Sequence, residues 1–149
     1  MKSFAFLAAA LAACPFVLLA DRVEAAPRDG AVVRFQACGS GPRITCVVDG
    51  DTFWFEGTKI RMADINTPEI SHPGCAAEAA LGARATRRLT DLLNAGPFTL
   101  EVRGRATDRY GRALRIVTRG GRSLGERLAT EGLAERWKGR RSDWCGPRS

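Results

Sequence analysis

Three strand-forming runs separated by two tight-turn signals constrain this chain more than any other feature. Arg43 to Val48 and Thr52 to Phe55 flank Asp49-Gly50, and a D-G pair between such runs is a strong hairpin signal. Glu56-Gly57 turns the chain again, and Thr58 to Ile65 supplies a third strand. Strand alternation places Thr58, Ile60 and Met62 on one face of it and Lys59, Arg61, Ala63 and Ile65 on the other, so Arg61 is expected to share a face with Ala63 and Ile65.

The elements that follow can cover such a meander. Ala76 to Asn94 is rich in helix formers, with Ala80, Ala83, Leu89, Leu92 and Leu93 near one side, and Asn94 and Gly96-Pro97 stop it. Phe98 to Val102 and Arg112 to Thr118 read as two more strands around an Asp108–Gly111 turn, the second with Leu114 and Ile116 on one face. Gly120-Gly121 ends that strand, and a second helix from Ser123 to Glu131 brings Leu124, Leu128 and the following Leu133 to the core. Three strands, a helix, two strands and a helix make an α+β domain. The economical closure is a five-stranded, partly open OB-type β-barrel with two or three flanking helices.

The chain has 149 residues, enough for one self-supporting domain, which is placed at 32–149. Residues 1–25 read as a signal peptide and 26–31 as a flexible linker. Lys2 precedes an apolar run from Phe4 to Ala20, and Val23-Glu24-Ala25 is a small-residue site with cleavage expected after Ala25. An uncleaved anchor is the weaker reading, because the run is marginal for a membrane span and contains Pro15. Leu11-Ala12-Ala13-Cys14 resembles a lipobox, but Pro15 to Leu19 stay apolar where lipoproteins usually turn polar. The expected location is secreted or periplasmic, with membrane contact only through the export signal.

The formal net charge is +7, which favours a polyanionic partner such as nucleic acid or an acidic surface. Simple solubility is an equally good account of charge alone. Beyond the leader, Cys38, Cys46, Cys75 and Cys145 form an even set, as expected of two disulfides in an oxidising compartment. Of the three possible pairings we prefer Cys38 with Cys46, closing a short loop, and Cys75 with Cys145, tying down the C-terminal tail. A structural zinc site is disfavoured, since there is no C-x₂-C pair and His72 is the only histidine.

Asp49-Gly50-Asp51-Thr52, Arg61 to Glu69 (RMADINTPE) and Thr107 to Arg112 (TDRYGR), in that order, resemble the staphylococcal nuclease (thermonuclease) family. The resemblance runs from about Cys46 to Glu135, and it implies an OB-fold nuclease that uses calcium to cleave phosphodiester bonds in DNA and RNA. It implies Arg61 and Arg112 as the arginines that grip the phosphate, a task for which the planar guanidinium fork is suited. Glu69 matches the glutamate that orients or deprotonates the attacking water. Asp51, Asn66 and Thr67 match the calcium ligands, Thr67 through its backbone carbonyl, and Arg109 and Tyr110 match residues that contact substrate phosphate. Asp49 reads first as a turn residue and second as an outer carboxylate of the metal site.

Three departures from the family pattern stand out. Asn66 replaces the usual aspartate, keeping an oxygen but removing a charge, so calcium binding is expected to be weakened and not abolished. Trp54 stands where the family has a plainer residue and is expected to pack rather than stack on bases. After Gly132-Leu133-Ala134 the chain runs WKGRRSDWCGPRS where the family prototype enters a third helix. Trp137, Trp144 and the Cys75–Cys145 link are expected to cover the same apolar flank, the disulfide offsetting lost burial by about 2 to 4 kcal/mol. Lys138-Gly139-Arg140-Arg141 reads either as a holder of nucleic-acid backbone or as solvated surface.

The expected function is that of an exported calcium-dependent nuclease acting on DNA and RNA with little sequence specificity and no stable protein partner. The alternatives are a catalytically weak or inactive OB-fold nucleic-acid-binding protein and a structural envelope protein. The second of these leaves the arginines and Glu69 without a purpose.

Overall fold

Alternation of phenylalanines with polar and amphipathic residues sets the sheet register. In the computed structural model, which describes residues 33–146 and the backbone of Glu24–Ala25, β2 (Cys46–Val47) and β3 (Thr52–Phe55) form the first hairpin, with Val47 opposite Phe53. Apart from that backbone pair, β1 (Glu24–Ala25), which lies beside 99–100, the leader and linker fall outside the described residues. Glu56 and Gly57 both adopt left-handed conformations (φ 49° and 78°), the geometry of a two-residue hairpin turn, and lead into β4 (Thr58–Met62) with Phe53 opposite Ile60.

The third strand is shorter than its alternation implied. The chain leaves the sheet at Ala63-Asp64 and starts a separate short strand, β5 (Ile65–Asn66), so Ile65 is buried in the core and does not share an exposed face with Arg61. The bend is held by Asp64, whose carboxylate accepts a 2.5 Å hydrogen bond from Ser123.

Helix α1 (Ala76–Asn94) has the expected bounds, but its buried side runs through Leu81, Gly82, Ala85, Leu89, Leu92 and Leu93. Ala80 is exposed and Ala83 only partly buried, because alanine marks both faces of a helix alike. At its C-terminus Arg119 donates to the carbonyls of Leu92, Gly96 and Pro97, placing a cation where the helix leaves acceptors unpaired. Asn94 exchanges hydrogen bonds of 2.8 and 2.9 Å with the backbone of Phe35, tying the segment before β2 to the helix.

Beyond the helix, β6 (Thr99–Glu101) pairs antiparallel with β7 (Ala113–Arg119), and β7 pairs parallel with β4. The main strands thus lie in the order β2, β3, β4, β7, β6, and short β8 (Arg122–Ser123) extends β7. A meander joined through its third strand to a following hairpin is the partly open OB-type barrel, here in an α+β domain with two helices. On β7 it is Ala113 and Val117 that are fully buried, while Leu114 and Ile116 face the other side and are half-buried. Phe35, Phe53, Phe55 and Phe98 fill one end of the barrel with ring centroids 5.5 to 6.4 Å apart.

Helix α2 (Leu124–Thr130) is capped by Ser123 and buries Leu124 and Leu128, and Leu133 follows into the same core. Among the described residues after it there is no helix: β9 (Glu135–Arg136) pairs with β5, and Trp144 is buried against the core. Both preferred disulfides form, Cys38–Cys46 and Cys75–Cys145, with Cα separations of 4.9 and 5.9 Å.

The two helices are joined by Arg88, which grips Glu131 through two 2.7 Å hydrogen bonds. The hydrogen bond from Arg88, aided by Arg127, pulls the Glu131 carboxyl down to about 2. A folded-state value below the unfolded one, about 4.3, stabilises the fold above that unfolded value, and the contribution is lost as pH falls towards 2. The pair is a third exposed, so its worth is about 1 kcal/mol or less. Chemical unfolding of the wild type and Arg88→Gln is therefore expected to differ by that small amount at pH 7 and to converge between pH 4.3 and 2, as estimated from the same linkage. A gap that persists at pH 2 contradicts the assignment.

Candidate functional site

Asp51 is the buried centre around which the site is organised. It sits between the D-G turn and β3, where its Oδ2 meets Arg61 Nη1 at 2.5 Å and accepts the Thr67 N–H at 2.9 Å. Oδ1 accepts the Thr52 hydroxyl at 3.0 Å, and the Asp51 carbonyl accepts the Met62 N–H. One carboxylate therefore gathers the first hairpin, β4 and the segment Asn66–Thr67, all of whose members are buried.

The close packing depends on two glycines: Gly50, read from the sequence only as part of the D-G turn, and Gly82, which sequence patterning did not single out. A Cβ on Gly50 would lie 2.6 Å from the Ala85 methyl and 2.9 Å from Thr67, so only glycine lets the turn reach both α1 and the Thr67 segment. A Cβ on Gly82 would lie 2.9 Å from the Pro68 carbonyl and 3.0 Å from that of Glu69. Glycine in mid-helix is unfavourable by about 1 kcal/mol, and here it allows residues 68–70 to lie directly on α1.

Glu78, also missed, fixes that segment from the other side. Its buried carboxylate accepts the N–H of Glu69 at 3.1 Å and that of Gly74 at 2.7 Å, bracketing the loop that carries Glu69. Only a helix N-terminal Glu after a capping residue hints at this from sequence, and it does not say which backbone groups the side chain takes. The Glu69 side chain itself is 35% exposed and paired with Arg141.

Asp49 is seen in the turn role offered for it. Its Oδ1 accepts the Asp51 N–H at 3.1 Å, which closes the turn. Burial, and then the negative charge of Asp51, push its carboxyl up to about 7. A carboxylate held beside another in this way is poised to gain from a nearby cation.

Arg112 lies immediately before β7, whose Ala113 and Leu114 stand opposite Ile60 and Arg61 in the parallel β4–β7 pair. Asp108 holds it: Oδ2 accepts Arg112 Nε at 2.7 Å, and Oδ1 accepts the backbone N–H groups of Tyr110 and Arg112. Burial acts to raise the Asp108 carboxyl, and these hydrogen bonds outweigh it, leaving it below the usual range. Asp108 is thus a second positioning carboxylate that the sequence placed only in a turn.

Tyr110 is 68% exposed, not packed at the barrel edge. Arg109 and Arg112 lie 4.8 and 5.5 Å from its ring centroid, and Arg109 donates to its hydroxyl at 2.6 Å. Trp54 lies on the outer side of β3, half-buried with Lys59 5.9 Å above its ring, so it packs outside the phenylalanine core. Trp137 also differs from expectation: it is 43% exposed and covers Arg61, 5.8 Å from guanidinium to ring centroid, whereas only Trp144 fills the apolar flank.

The donors available to a metal are the Asp51 carboxylate, the Asn66 amide and the Thr67 carbonyl, with Asp49 behind them. All are hard oxygens, which fit a calcium-type ion. Among the described residues no group of three or more His, Cys, Asp or Glu side chains could hold a metal ion.

Residues 59–144, more than half the chain, match the family described as staphylococcal nuclease homologue. The chain belongs to that family. The matched span contains Arg61, Asn66, Thr67, Glu69, Arg109, Tyr110 and Arg112, while Asp51 lies just ahead of it. The chain is similar to two curated proteins of Bacillus subtilis (strain 168). It is 37% identical over 92 residues to endonuclease YncB, covering 58% of this chain and 43% of that protein. It is 38% identical over 92 residues to the SPbeta prophage-derived endonuclease YokF, covering 58% of this chain and 31% of that one. The match thus spans less than half the length of either relative.

Proposed function

We propose that this chain is an exported, calcium-dependent nuclease that hydrolyses phosphodiester bonds of DNA and RNA with little sequence specificity. The observation that carries the reading is the convergence on Asp51: one buried carboxylate binds Arg61 and the Thr67 N–H, two residues before Glu69. A binding protein has no need of Glu69 beside the phosphate-gripping arginines.

Phosphodiester hydrolysis builds negative charge on the phosphoryl oxygens in the transition state. Arg61 on β4 and Arg112 at the entry to the adjoining β7 would neutralise that charge through paired N–H donors. Glu69, fixed through its backbone by Glu78, orients a water and takes its proton. Asp51, Asn66 and Thr67 would hold calcium, which supplies further positive charge at the phosphate when bound. Tyr110 and Arg109 hold the strand beside the reacting group. Contacts of these kinds read the backbone, so sequence preference is weak. Export follows from the leader reading of residues 1–25.

Asn66 favours a second reading, a catalytically weak nucleic-acid-binding protein. Release of acid-soluble nucleotides from denatured DNA by residues 26–149, with calcium and with chelator, separates the two. Activity that requires calcium supports the nuclease; binding without calcium-dependent release supports the second reading. Calcium titrated calorimetrically is expected to bind between the submicromolar and millimolar ranges, and Asn66→Asp to tighten it by about tenfold, since affinity follows ligand charge. Unchanged affinity in that variant removes Asn66 from the ligand set.

A further inference from the structure

The segment after α2 is tied down at several points, and the part left exposed between the ties is basic. At its start, β9 pairs with β5 and the Trp137 N–H donates to the Asp64 carbonyl at 2.8 Å. At its end, Ser142 donates to Glu135 at 2.6 Å, Trp144 is buried, and Cys145 is bonded to Cys75. Cys75 caps α1, whose Glu78 holds the Glu69 backbone, so the disulfide joins the tail to the support of Glu69 itself.

Between these ties run Lys138, Gly139, Arg140 and Arg141, all exposed. Arg141 reaches Glu69, and Trp137, just ahead of this stretch, covers Arg61, so residues 137–141 touch two of the three residues assigned to the chemistry. Arg141 remains 71% exposed while paired, and neither Lys138 nor Arg140 has an ion-pair partner among the described residues. An exposed pair of this kind is worth little, so a phosphate can displace Glu69 from Arg141 at small cost. Arg141 meets the phosphodiester site, and Lys138 and Arg140 lie within three residues of it in the chain, a run of charge that suits a polyanion better than a single ion.

Resting on the nuclease reading above, we infer that residues 138–141 form a strand-binding subsite for single-stranded nucleic acid. Arg141 exchanges Glu69 for a backbone phosphate neighbouring the one cleaved, and this both anchors the strand and frees Glu69. The Cys75–Cys145 disulfide holds the subsite at the site, so substrate affinity depends on that bond being formed.

The test measures affinity and turnover separately. Fluorescence anisotropy of a labelled oligodeoxythymidylate in chelator, over a series of salt concentrations, reads binding without cleavage. Arg141→Gln is expected to weaken binding about 5- to 10-fold and to reduce the salt slope by about 0.7, the value for one single-strand phosphate contact. In the cleavage assay with calcium it is expected to raise KM with kcat unchanged or slightly higher. Cys75→Ser/Cys145→Ser is expected to reduce the slope by about 2, for three contacts, while Cys38→Ser/Cys46→Ser leaves it unaltered. Arg141 is exposed, so its variant judges the idea even if loss of the disulfide impairs folding. An unchanged slope and Kd in Arg141→Gln overturn the subsite, and so does higher kcat at unchanged KM, which makes Arg141 an inhibitory cap. If the wild type binds but does not cleave, the nuclease reading fails and the anisotropy data still decide the subsite.

Discussion

Glu69→Gln is expected to lower kcat by roughly 10²- to 10⁴-fold, the contribution of a positioned general base, while thermal unfolding barely moves. The side chain is partly exposed and makes only a surface ion pair with Arg141, so its amide isostere costs little stability. Its backbone stays in place because Glu78 accepts the Glu69 N–H and Gly82 leaves room for its carbonyl. What the amide cannot do is take a proton from water. Single-turnover cleavage of denatured DNA at saturating calcium measures the chemical step, and a rate within tenfold of the wild type places the base on another residue.

Gly82→Ala is expected to separate activity from stability in the opposite sense to an ordinary core variant. A methyl there meets the Pro68 carbonyl at 2.9 Å, the Glu69 carbonyl at 3.0 Å and the Ile70 Cγ2 at 2.7 Å. Overpacking costs about 1 to 3 kcal/mol, and alanine returns about 1 kcal/mol of helix propensity, so the net loss of stability is small. The loop can relieve the clash only by lifting residues 68–70 off the helix, which carries Glu69 with them. Displacement of a catalytic group by about 1 Å costs on the order of 10²-fold. We expect that loss in kcat with an unfolding midpoint only a few degrees lower. A variant with full activity shows that the segment tolerates displacement and that Glu69 is placed by Glu78 alone.

Several features were legible because their cause is local. The Asp49-Gly50 and Glu56-Gly57 turns and the bounds of α1 each depend on neighbouring residues in the chain. The candidate residues were legible as types within ordered motifs, and the cysteine pairing was preferred among three on loop length and the position of the tail, with the fold deciding it. The bend at Ala63-Asp64 was not, since the alternation Thr58 to Ile65 continues through it and the reason to leave the sheet is Ser123, 59 residues on. The buried face of α1 was blurred by its alanines, which lack the size to declare a side. Trp137 read as core because indole is mostly apolar, yet the Arg61 guanidinium offered it a cation to cover.

The sequence alone thus determined which main elements form and which residue types stand in the ordered motifs, through short-range stereochemistry and motif order, while the choice among three cysteine pairings was made by the fold. Tertiary structure decided which supporting groups hold that chemistry in place: Glu78 and Gly82 under Glu69, Asp108 behind Arg112, and the tail's Arg141 on Glu69. Such contacts join residues far apart in the chain, and a glycine or carboxylate reveals its role only when the backbone it accommodates or binds has been brought against it.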